Sequence, residues 1–133
     1  MAPDILKVAP ELDEKLKSRN KMGFRFKQLH LGDMEFGLAK ELAVFSLSPQ
    51  ALSELRGIRF ELTKDDLDYV YAALLATEDD QQFALRSYLR GPHSDKTELV
   101  GNECSMQPQA DLKKFLAALQ IPDEVILWSI GKS

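Results

Sequence analysis

The apolar residues of this chain change period along its length, and no single kind of secondary structure accommodates them all. Phe24 and Phe26 alternate with Arg25 and Lys27, and Ile58, Phe60 and Leu62 alternate with Arg59 and Glu61. Period two predicts strands with one buried face. Elsewhere the spacing is helical: Leu67, Val70, Tyr71, Leu74 and Leu75 fall at i, i+3, i+4, i+7 and i+8, one continuous stripe. Helices and strands in this order imply an α+β fold, a mixed or mainly antiparallel sheet of about four or five strands with helices packed on one side.

Glycine and proline divide the chain into short elements. A helix is expected over 10–21, opened by Pro10, carrying Leu12 and Leu16 inward and closed by Gly23. The strand from Phe24 slips parity at Gln28, which predicts a bulge there or a strand leaving its layer. Gly32-Asp33 marks a turn and Met34, Phe36 and Leu38 a return strand. Residues 38–47 fit a helix or a strand, and strand is favoured for 42–47. Ser48-Pro49 opens a short helix that Gly57 closes. Thr63 is expected to start the best helix in the chain, and a further helix is expected from Asp80 to Arg90, ended by Gly91-Pro92. Residues 91–108 read as irregular, with a short strand at Leu99-Val100. Leu112, Phe115, Leu116 and Leu119 mark a last helix, which Pro122 breaks. Val125 to Ile130 fits a buried strand or a short buried helix.

Length and composition bound the rest. At 133 residues and 44% hydrophobic the chain is expected to form a single globular domain over residues 1–133. One cysteine, Cys104, excludes an internal disulfide and a multi-cysteine zinc site. No apolar run approaches the ~18 residues of a membrane span. The first residues have no apolar signal-peptide core, so a soluble, cytoplasmic protein without a membrane partner is expected.

The charges are segregated. Lys15, Lys17, Arg19, Lys21, Arg25 and Lys27 follow one another without an acid, and from Glu61 to Asp80 seven acids accompany the single base Lys64. Helix dipoles explain much of this locally, since bases crowd an expected helix end and acids expected helix starts. What remains as a candidate binding surface is Lys17 and Lys21 on the outer helix face, with Arg25 and Lys27 beside them. Phosphate or nucleic acid would use these four, but a net charge of −4 makes nucleic acid an unfavoured partner.

Candidate chemistry is sparse. The loop from Arg90 to Lys96 sets His93 beside Ser94, Asp95 and Arg90, a titratable base among polar groups. An enzyme acting on a small polar substrate would use these residues. Nucleotide-binding loops, dinucleotide glycine motifs, nucleophile elbows and paired-cysteine or zinc-protease motifs are absent, so no cofactor or metal is implied. The leading expectation is an acidic protein-interaction module with a binding, inhibitor or chaperone-like role. Its expected partner is another protein, either a different chain or a second copy of this one.

Overall fold

The structure, a computed structural model, describes residues 26–34, 38–64, 68–90 and 94–131. Within them the chain forms β1 (Phe26–Leu29), a 3-10 turn (Leu31–Asp33), β2 (Leu38–Phe45), α1 (Pro49–Arg56), β3 (Glu61–Lys64), β4 (Tyr69–Thr77), β5 (Gln82–Tyr88), β6 (Thr97–Asn102), α2 (Pro108–Leu119), a second 3-10 turn (Asp123–Val125) and β7 (Ile126–Ser129). The helix expected over 10–21 lies outside these residues, as do 35–37 of the expected return strand.

The fold is α+β, but its sheet is larger than expected: seven strands, all paired antiparallel, in the order β1-β4-β5-β6-β2-β7 with β3 also on β4. Two expected helices are strands. The stripe from Leu67 to Leu75 belongs mostly to β4, and the expected helix over 80–90 is β5. The physical reason is burial on both faces. Ala72, Ala73, Leu74, Leu75 and Ala76 are all buried, so the alternation that marks a strand is erased and a helical spacing emerges by coincidence. The acids Glu78, Asp79 and Asp80, read as helix-start residues, instead form the hairpin turn between β4 and β5. Asp80 has φ +67° there, a conformation that Asp tolerates better than most residues.

β1 and β3 lie end to end along one edge of β4. β1 pairs with its second half, from Phe26↔Thr77 to Leu29↔Leu74, and β3 with its first, from Glu61↔Ala72 to Lys64↔Tyr69. The Gln28 amide ties the junction as a backbone neighbour would. Its Nε2 donates to the Arg59 carbonyl at 2.5 Å, and its Oε1 accepts from the Arg59 N–H at 2.9 Å. No bulge occurs at Gln28: β1 keeps its register with β4 as far as Leu29↔Leu74, and the chain then turns through Leu31–Asp33.

Both helices of the described residues pack on one face of the sheet. Ala51 and Leu52 of α1 and Leu112, Phe115 and Leu119 of α2 share one core with Phe45, Ala73, Leu75, Phe83, Leu85 and Leu99. The Phe115 ring stacks on Phe83 with centroids 4.4 Å apart. Gly101 of β6 permits this approach, because a Cβ there would lie 2.8 Å from Leu42 Cδ1 and 3.3 Å from the Phe115 ring. α1 forms as the sequence predicts. Ser48 Oγ accepts from the Ala51 N–H at 3.1 Å, Pro49 occupies the first turn, and Gly57 ends the helix at φ +68°.

Candidate functional site

The helix layer stops short of one corner of the sheet. Leu62, Tyr71 and Ser87 are register partners across β3, β4 and β5 and share the helix-facing side. Exposure falls along this row from 54% at Leu62 and 41% at Tyr71 to 2% at Ser87, so the cover begins over β5. One row further out, Lys64 pairs with Tyr69, and the Leu89 N–H donates to the Tyr69 carbonyl at 3.2 Å. Tyr69 and Leu89 are both close to half exposed. Four large apolar side chains therefore share one uncovered corner.

A cleft of about 450 Å³ runs between that corner and the first turn of α1. Phe60, Tyr71 and Leu89 form its apolar side, and Ser48, Pro49 and Gln50 its helix side. The Ser87 hydroxyl, buried at the back, points to the Ser94 carbonyl at 3.4 Å. Around the corner the charges alternate in sign. Lys64 holds its ammonium 5.7 Å from the Tyr69 ring centroid. Asp68 accepts from the Tyr69 N–H at 2.7 Å and from the Arg90 N–H at 3.1 Å. This carboxylate anchors the ends of β4 and β5, which fixes Tyr69 and Leu89 side by side.

The residues singled out from the sequence are described only in part. Lys17, Lys21, Arg25 and His93 lie outside the described residues. Lys27 is on β1, and its ammonium is bonded to Asp80, so the basic segment meets the acidic one in an ion pair within the chain. Arg90 is turned to Asp68, with Nε 3.8 Å from Oδ1, and Asp95 to Lys96 at 2.8 Å. Cys104 is exposed with a free thiol. Among the described residues no three His, Cys, Asp or Glu side chains gather as a metal site requires. No helix there is long and apolar enough to cross a membrane.

The Asp79 carboxyl is displaced from its ordinary value. The Thr77 hydroxyl and the Lys114 ammonium, at 3.1 Å, both donate to Asp79 and hold its carboxyl below the usual 3.8. It sits in the β4–β5 turn, and its role is to fasten that turn to α2.

The corner is not legible in the sequence because Leu62 and Tyr71 fit buried faces there and Tyr69 fits no apolar stripe. Tyr71 and Val70 were placed on a helix stripe, and Phe60 and Leu62 on the inner face of a strand. A usable signal was the pair Tyr69 and Tyr71 alternating with Val70 and Ala72. Tyrosine carries a polar end and is suited to half-exposed apolar positions. Compared with known proteins, the chain matches no family model, and neither a curated protein nor a solved structure shows significant similarity to it.

Proposed function

We propose that the protein is a binding module that docks another protein on the uncovered sheet corner. The observation that carries this reading is the joint exposure of Leu62, Tyr69, Tyr71 and Leu89 on the helix-facing side of the sheet. Contiguous exposed apolar side chains are rare on a free surface, and tyrosines in particular anchor protein interfaces. The adjoining cleft offers a recess for one apolar side chain of the partner. The charges beside it, Lys64, Asp68 and Arg90, are mixed in sign. That pattern suits the polar rim of a protein interface and does not suit a phosphate backbone, which needs bases without intervening acids.

The test places a photocrosslinking amino acid at Tyr71 and, as a control, at Lys113, which is exposed on α2. Crosslinking in the native cells is expected to capture a protein at position 71 and not at 113. The captured protein, once purified, should bind the purified chain, and Leu62→Ser with Tyr71→Ser should weaken that binding at least tenfold. Equal labelling from both positions, or full binding by the double variant, would sink the proposal. A product of twice the chain's mass that vanishes in the double variant would assign the corner to self-association instead.

A further inference from the structure

The sheet face turned away from the helices carries a second concavity, a groove of about 300 Å³. Its floor is built from small side chains, Val70, Ala72, Ala84 and Val100, each no more than 7% exposed, and Met34 and Leu38 extend the lining. Arg86 also borders this groove. Its Nε donates to Glu98 Oε1 at 2.8 Å, and its guanidinium carbon lies 5.5 Å from the Tyr88 ring centroid. Those contacts use one edge and one face of the group. Its two terminal amino groups have no hydrogen-bond partner among the described residues, and the side chain keeps a quarter of its surface exposed.

We propose that this groove binds a small monocarboxylate bearing an apolar tail. A planar fork of N–H donors matches a carboxylate in two parallel bonds, and charged acceptors make such bonds stronger than neutral ones. The floor of valines and alanines offers the tail an apolar surface, with Thr63 and Tyr88 also on the lining. Glu98, nearly buried, already offsets the Arg86 charge. A monoanion is therefore favoured over a phosphate-like dianion, which the Glu98 carboxylate would repel. The volume lies at the small end of ligand cavities, about 300–1,000 Å³, so the tail is short. This site lies on the other side of the sheet from the exposed corner and is independent of the binding reading given above.

The experiment is an NMR titration of the full chain with hexanoate and, in parallel, with hexanamide, its neutral counterpart. Hexanoate is expected to saturate with a Kd of about 1 mM or below, given what a ligand of this size can gain. The largest shifts should fall at Ala72, Ala84 and Val100, and hexanamide should bind at least tenfold more weakly. Arg86→Gln combined with Glu98→Gln removes the donors without leaving a lone buried charge, and should lower hexanoate affinity at least tenfold. Ala84→Leu fills the groove and should abolish binding. No saturation by hexanoate, shifts confined to another surface, equal affinity for hexanamide, or wild-type affinity in both variants would each overturn the proposal. The hexanoate–hexanamide comparison needs no variant, so it decides the matter even where a substitution impairs folding.

Discussion

Asp79 shows how a side chain that looks like part of a charge run acts individually. The Thr77 hydroxyl and Lys114 stabilise its ionised form, so its folded pKa is depressed. The sign of the linkage follows. The stabilisation is fully present above 3.8, the unfolded value, and is lost as the pH falls below it through the folded value. Wild type is expected to exceed Asp79→Asn in thermal stability at neutral pH, and the two melting curves should converge as the pH drops through that window. Equal melting temperatures at pH 7 would refute the assigned role. The residue scale also exposes what was unreadable beforehand. Lys27 looked like part of a cationic surface, but its partner Asp80 is 53 residues away in the chain. Lys27 reaches Asp80 because β1 pairs with β4.

Among the elements, α1 is the most legible, since its signals are local. Ser48, Pro49 and Gly57 cap and punctuate eight residues without help from the rest of the chain. Removing the cap hydroxyl with Ser48→Ala should cost about 1 kcal/mol in urea unfolding at an unchanged slope. A loss well below that would show that the cap bond at Ala51 is dispensable. α2 and the end of its run before Pro122 were legible for the same reason. β4 and β5 were not. A strand buried on both faces has no amphipathic period, and its identity rests on neighbours distant in sequence. β4 forms seven register pairs with β5 and four each with β1 and β3. The turn chemistry misled as well: acids that suit a helix start suit a hairpin turn equally.

At the scale of the whole molecule, one buried arginine joins the two helices. Arg56, at the last position of α1, is 2% exposed. Its Nε donates to the Leu119 carbonyl and its Nη2 to the Gln120 carbonyl, both at 2.9 Å, where α2 ends. A cation there also complements the negative ends of both helix dipoles. Arg56→Ala strands several main-chain carbonyls and opens a cavity, so a loss of about 3–5 kcal/mol is expected in denaturant unfolding. Arg56→Lys should recover less than half of it, because a single ammonium cannot span the same acceptors. Near-wild-type stability in the alanine variant would show that the helix ends are held by packing alone. The extent of the helix layer also decides the candidate site. Among the described residues, two short helices cover the centre of a seven-stranded sheet and leave its β3–β4 corner bare.

Capping, helix breakers and one-sided alternation act over a few residues, so the α+β class, the limits of α1, the end of α2 before Pro122, strand at 42–45 and a short strand at Leu99-Val100 are legible in the sequence, whereas the full extent of β6 in a stretch that reads as irregular is not. Only the tertiary structure decided how many strands there are, which of them stand at the centre, and which apolar residues remain exposed. Those outcomes depend on pairings across tens of residues and on where the helix layer ends. A leucine or tyrosine has the same side chain in a core and on a bare corner, so its exposure is a property of its neighbours in space.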